Sequence, residues 1–185
     1  MRAAVGGGRR APGAPHTRGR GRRCRRRPGR RLDVGEQPVS DYQRPSLRLA
    51  PSPTPESAPF WTGGRDGQLL ISHCHGCGHY FHPPGPVCWR CRSSDVGPEP
   101  VSGRATVAAF TVNRQPWIPG FEPPYVVAIV ELADEPDVRL ITNVVGLAPE
   151  DMRVGIEVEV FFEDWTAVSG AEDSRVWIPL FRPVR

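Results

Sequence analysis

Between residues 156 and 163 the chain alternates strictly. Ile156, Val158, Val160 and Phe162 fall on one side of an extended backbone, and Glu157, Glu159 and Glu163 on the other, the period-two signature of a half-buried strand. Four further runs, 103–112, 125–133, 138–145 and 175–181, are rich in β-branched and aromatic residues and are separated by turn signals. Between the third and fourth of these five strands, Leu147-Ala148-Pro149-Glu150-Asp151-Met152 leaves room only for a short helical turn. Three strands, a short helical turn and two more strands is the order of an OB-fold, a small Greek-key barrel. The predicted class is therefore mainly β.

Upstream the pattern changes. Residues 1–45 hold few large apolar side chains and show neither helical nor alternating period, so they cannot bury enough surface to offset chain entropy. They read as a disordered basic arm or as a translated leader, with Cys24 a lone thiol within it. Residues 46–70 are predicted to hold a short N-terminal helix, with Thr54 as cap, Pro55 at its first position and Glu56 favourable to the helix dipole. Gly63-Gly64 and Gly67 limit it to about two or three turns, at roughly 1 kcal/mol per interior glycine. The expected organisation is then an arm over 1–45, a helical segment over 46–70, a metal ribbon over 71–99 and the barrel over 100–185.

Composition changes this picture in one respect. The formal charge of +4 conceals an asymmetry: residues 1–31 carry 12 arginines and no acid, whereas the rest carries 12 arginines against 20 carboxylates, a net of −8. An acidic body is a poor phosphate binder, so nucleic-acid binding would rest on the arm alone. No apolar run reaches the ~18 residues of a membrane span, and no apolar stretch follows the arginines as in a secretory signal. A cytoplasmic protein is expected, with neither membrane nor nucleic acid as partner.

The candidate chemistry is concentrated in one segment. Cys74-x2-Cys77-x10-Cys88-x2-Cys91 places two Cys-x-x-Cys pairs close together, the spacing of a four-thiolate zinc site with two knuckles. A closed tetrahedral shell leaves no position for activated water, so the zinc is predicted to be structural. Gly76 and Gly78 let the first knuckle curl around its sulfurs. The second knuckle has Arg92 where glycine would ease the turn. Redox chemistry would want a Cys-x-x-Cys at a helix start in a βαβ setting, which is absent here. Iron is the alternative occupant for four thiolates. His73, His75, His79 and His82 read as polar loop and hairpin residues beside this closed shell.

Residues 54–183 resemble a known family, the acyl-CoA-associated proteins that join a rubredoxin-like zinc ribbon to an OB-fold, long catalogued as domain of unknown function thirty-five. The resemblance rests on Pro59-Phe60-Trp61, Cys74-His75-Gly76-Cys77-Gly78, Pro83-Pro84 and Val87-Cys88-Trp89-Arg90-Cys91. It continues through Ser102-Gly103-Arg104-Ala105-Thr106-Val107, Phe110-Thr111, Pro123-Pro124-Tyr125-Val126-Val127, Val154-Gly155 and Phe181-Arg182-Pro183. The chain departs from that pattern at Trp89 and Arg92, where the family's second knuckle has Pro and Gly, and at Gly63-Gly64, which weakens its helix.

The resemblance implies a non-catalytic auxiliary subunit in a hetro-oligomer with a thiolase-like enzyme, with a lean towards the lipid-transfer-type aldolases that shorten steroid side chains. In such complexes the partner supplies the catalytic groups and acyl-CoA is held by the assembly. Candidate contact residues are Phe60, Trp61, Pro83, Pro84, Trp89, Trp117 and Phe121 for the partner, with Arg104 and Arg114 towards CoA phosphates. The residues themselves agree with a non-enzyme: all five histidines precede residue 83, so the barrel lacks the commonest general base. Glu131, Asp134, Glu135 and Asp137 read as a solvated turn. A single-stranded nucleic-acid-binding OB-fold and a small acyl-CoA thioesterase are the alternatives.

Overall fold

A computed structural model describes residues 42–166 and 175–184; the arm's predicted disorder and Cys24 lie outside the described residues. Two sheets share one core. The first is a three-stranded antiparallel ribbon in the order β2-β1-β3, formed by β1 (Leu69–Cys74), β2 (Tyr80–Phe81) and β3 (Val96–Val101). The second is a closed five-stranded barrel of β4 (Arg104–Asn113), β5 (Tyr125–Leu132), β6 (Arg139–Val144), β7 (Glu157–Thr166) and β8 (Arg175–Pro183), in the order β4-β5-β6-β8-β7. This is the mainly β, OB-type architecture that the five predicted strands and their order imply.

Alternation fixes which face each strand buries. In β5, Val126, Ala128, Val130 and Leu132 point into the barrel and Ile129 points out. Across the antiparallel register Ile129 meets Ile141 of β6, and Ile141 is 79% exposed. The barrel closes through antiparallel β4–β7 pairs and the parallel pair Val144–Phe181 between β6 and β8. Phe181, Val107, Val130, Val158 and Val138 are wholly buried inside.

The helix starts later than Thr54 implies. Thr54 does accept hydrogen bonds from Ser57, but these close a turn over Pro55 and Glu56. The α-helix, α1, runs Ala58–Thr62 with Ser57 as N-cap. Gly63 and Gly64 continue it as a 3-10 turn, Gly63–Asp66, closed by left-handed Gly67. Their role is close approach rather than weakening. A Cβ on Gly64 would lie 2.3 Å from Trp177 Cβ and 2.6 Å from the Phe162 ring, so only glycine lets this turn rest on the β7–β8 hairpin. Phe60, Leu69 and Ile71 belong to the same buried cluster as the barrel interior, which joins helix, ribbon and barrel into one packing unit.

Two expectations are corrected. Residues 42–45, read from sequence as the end of the arm, lie against the barrel. Tyr42 donates to Glu163, the Arg44 guanidinium donates to the Asp164 carbonyl, and the Tyr42 ring meets Phe161 edge-on at 6.1 Å. Glu163, read as solvent-facing, is 6% exposed. Arg48 at 3.3 Å balances its charge and Trp165 Nε1 donates to it at 2.8 Å, so a buried carboxylate is paired and hydrogen-bonded, as its desolvation requires. Among the described residues no helix is long and apolar enough to cross a membrane.

Candidate metal centre and interaction surface

The two knuckles repeat one backbone design fourteen residues apart. In the first, Gly78 N–H donates to the Cys74 carbonyl at 2.8 Å and Cys74 N–H to the His79 carbonyl at 2.9 Å. In the second, Arg92 N–H donates to the Cys88 carbonyl at 2.8 Å and Cys88 N–H to the Ser93 carbonyl at 2.9 Å. Both turns need a left-handed residue. Gly78 supplies it at φ 74°, and Arg92 takes it at φ 62°, the one non-glycine residue with positive φ among those described. The missing glycine of the second knuckle is thus replaced by a strained arginine.

This design delivers one buried and one exposed thiol per knuckle: Cys74 and Cys88 inside, Cys77 and Cys91 outside. The sulfurs all lie within 4.8 Å of one another, with 3.5 Å between Cys74 and Cys91 and 3.8 Å between Cys77 and Cys88. A tetrahedron with Zn–S bonds of about 2.3 Å has edges of about 3.8 Å. The donor set and spacing therefore fit Zn²⁺, and amides of Gly76 and Cys77 aim at the Cys74 sulfur, offsetting part of the thiolate charge. With four thiolates the shell is closed, so the metal's contribution is structural: it folds the ribbon. Phe81 and Val96 pack beside the buried thiols.

His79 is not the polar loop residue expected. It is 5% exposed, stacked on Phe81 at 6.1 Å and met edge-on by Trp89 at 4.7 Å. His82 lies against Phe60 with ring centroids 4.6 Å apart, and burial lowers its pKa to about 4. That contact sets the Pro83-Pro84 loop beside the helix.

The contact candidates divide. Phe60 is buried at 6% exposure and acts as a core anchor, whereas Trp89 at 70% and Trp117 at 72% stand in solvent. Trp61 and Pro84 are half-buried and Pro83 is exposed. Phe121 packs against Tyr125 at 4.3 Å with the rings tilted by 53°, under the Arg48 guanidinium at 4.9 Å. There it lines a cavity of about 750 Å³ with Tyr42, Asn143 and Leu147. Arg104 and Arg114 are both exposed, but they flank opposite ends of the ten-residue strand β4. At roughly 3.3 Å per residue, that separation does not bring them into one phosphate site. The Arg48–Glu163–Tyr42 group was not singled out from the sequence; Glu163 two residues before Trp165, in a strand whose other face is apolar, was the available signal.

Of the predicted acidic turn, Asp134 and Asp137 are exposed as expected, and Glu131 is bonded by Arg139 at 2.8 Å. Glu135 differs. Burial, reinforced by the charge of Asp134, raises its pKa to about 7, and its Oε2 has no hydrogen-bond partner.

Residues 61–97 match the profile of the ChsH2 rubredoxin-like zinc ribbon domain and residues 98–163 that of the ChsH2 C-terminal OB-fold domain. A DUF35 domain-containing scaffold protein of Pyrococcus furiosus is 32% identical over 103 residues, covering 55% of this chain and 74% of that protein. The chain belongs to the DUF35 family. Within DUF35, a chain from the solved Ltp2-ChsH2(DUF35) aldolase is 34% identical and superposes with a TM-score of 0.60, over 72% of this chain and 98% of the other. The 3-oxo-4,17-pregnadiene-20-carboxyl-CoA hydratase alpha subunit of Mycobacterium tuberculosis is 33% identical over 138 residues, covering 73% of this chain and 43% of that subunit. The chain thus spans less than half the length of the curated hydratase subunits it matches. The two ChsH2 profiles together cover this chain's ribbon and most of its barrel, and a steroid acyl-CoA stands in the name of the hydratase subunit.

Proposed function

We propose that this chain is a non-catalytic auxiliary subunit that binds a thiolase-fold acyl-CoA enzyme, specifically a lipid-transfer-type aldolase of steroid side-chain degradation, in a hetero-oligomer. The observation that carries this reading is the match to the Ltp2-ChsH2(DUF35) aldolase chain, 34% identical and spanning 98% of that chain. The chemistry of the barrel agrees. No histidine follows residue 82, and Glu159, Glu163 and Asp164 are each engaged by an arginine, which leaves these carboxylates poorly placed to act as bases. In this reading the partner supplies the reacting groups, and the 750 Å³ cavity behind Phe121 forms part of the wall around the acyl-CoA.

The partner surface is assigned to the outward Ile129–Ile141 pair and to Trp89, large apolar groups whose exposure is otherwise unfavourable. Co-expression with a lipid-transfer-type thiolase-fold protein should give one co-eluting complex on size-exclusion chromatography. Ile141→Asp should abolish co-elution while leaving the melting temperature of the lone chain unchanged. Independent elution of the two wild-type chains would refute the assignment. The hydratase alpha-subunit relatives favour a second reading, in which the partner is an enoyl-CoA hydratase subunit. Co-elution with such a subunit in place of the aldolase would select it.

A further inference from the structure

The ribbon carries a second group of metal-ligating side chains, separate from the cysteines. Alternate residues of a strand share a face, and here the register joins two strands. His73 of β1 pairs with Gly97 of β3, and Glu99 lies two residues further along β3. His75, one residue past β1, is held by its own N–H donating to the Asp95 carbonyl at 2.9 Å. Gly97 provides the room for its ring: a Cβ there would lie 3.0 Å from His75 Nε2. The two imidazoles sit 5.2 Å apart at 82°, and one ligand atom from each of His73, His75 and Glu99 falls within 4.8 Å of the others.

One atom in this group is unexplained by the protein alone. His73 Nδ1 is buried and has no hydrogen-bond partner, whereas buried side-chain nitrogens are ordinarily satisfied by a protein group, water or ion. The ring around it is fixed. Tyr80 packs on it with ring centroids 4.4 Å apart. A packed imidazole with an unpartnered buried nitrogen, in a group whose ligand atoms lie within 4.8 Å of one another, has donor capacity that a metal ion would use.

We propose that His73, His75 and Glu99 form a second divalent-cation site on the ribbon, suited to Zn²⁺. Two imidazoles and a carboxylate favour zinc over the hard cations, which prefer all-oxygen shells. Three protein ligands leave a fourth position open for water or an anionic ligand, in contrast to the closed thiolate shell. The negatively charged tetrathiolate centre, continuous with His73 through Cys74, adds a favourable field for a cation. The proposal rests on this geometry and is independent of the partner assignment.

The test uses the full chain reloaded with one equivalent of Zn²⁺ and then titrated with further Zn²⁺, with metal content measured after gel filtration. Wild type should take up a second equivalent, and His75→Ala and Glu99→Gln should each weaken that second step by at least about tenfold, with the first equivalent retained as proof of a folded ribbon. Co²⁺ added to the singly loaded protein should give weak ligand-field bands without thiolate charge transfer, lost in His75→Ala. A wild-type stoichiometry of one at saturating Zn²⁺, or a second equivalent unaltered in both variants, would overturn the site.

Discussion

At Arg48 and Glu163 two opposite charges leave water together, with side-chain exposures of 13% and 6%. Removing one partner leaves the other buried and uncompensated, so Arg48→Ala should destabilise the chain by about 3 kcal/mol in urea unfolding at fixed zinc, while Arg48→Met with Glu163→Met should cost less than either single change. Burial and the adjoining carboxylate also push the Tyr42 phenol up, so Tyr42 stays a neutral donor to Glu163. Glu135 sets a pH dependence of definite sign. Its pKa in the folded chain, about 7, lies above the ordinary carboxylate value of 4.5, so the folded state binds the extra proton between these limits. Stability from this group is therefore full below about pH 4.5 and falls as pH rises through 7. Glu135→Gln should raise the melting temperature at pH 8 and leave it nearly unchanged near pH 4. Neither residue could be placed from the sequence: a glutamate in an alternating strand reads as solvent-facing until an arginine more than a hundred residues away covers it.

The elements were legible where one local rule decided them. One alternating run and four runs rich in β-branched and aromatic residues marked five strands, and the cysteine spacing marked two knuckles with Arg92 in the turn that wanted glycine. Arg92→Gly should therefore stabilise the zinc-loaded protein by about 0.5–1 kcal/mol, the left-handed strain relieved less the added chain entropy. β3 was not legible. Its sequence, Val-Gly-Pro-Glu-Pro-Val, carries two prolines, which suit it only because β3 is an edge strand paired with β1 alone. The helix start was misplaced because Thr54 and Pro55 fit a cap equally well as a turn, and the packing of Gly64 on Trp177 is a contact that only the fold creates. Metal and core are linked at this scale. Leu69 and Ile71 reach from the ribbon into the barrel's cluster, so Cys77→Ser should lose zinc, unfold the ribbon and also lower the barrel's melting temperature, as followed by metal analysis and circular dichroism.

For the molecule as a whole, helix, ribbon and barrel share one buried cluster, and Trp89, Trp117 and Ile141 present 70%, 72% and 79% of their surface to solvent. The acidic body argues against nucleic acid at this scale as it did in the sequence, since residues 32–185 carry 20 carboxylates against 12 arginines. What the sequence could not show is how the contact candidates are distributed: Phe60 sank into the core, Arg104 and Arg114 separated along β4, and Phe121 turned to a cavity wall. In the proposed role this chain assists catalysis without performing it. The direct measurement is retro-aldol cleavage of a steroid side-chain acyl-CoA by a lipid-transfer-type thiolase-fold enzyme, assayed with the zinc-loaded chain alone, the enzyme alone and both together. The prediction is no turnover from the chain alone and a large gain when both are present, lost again with Ile141→Asp. Turnover by the isolated chain, or enzyme activity indifferent to its addition, would contradict it.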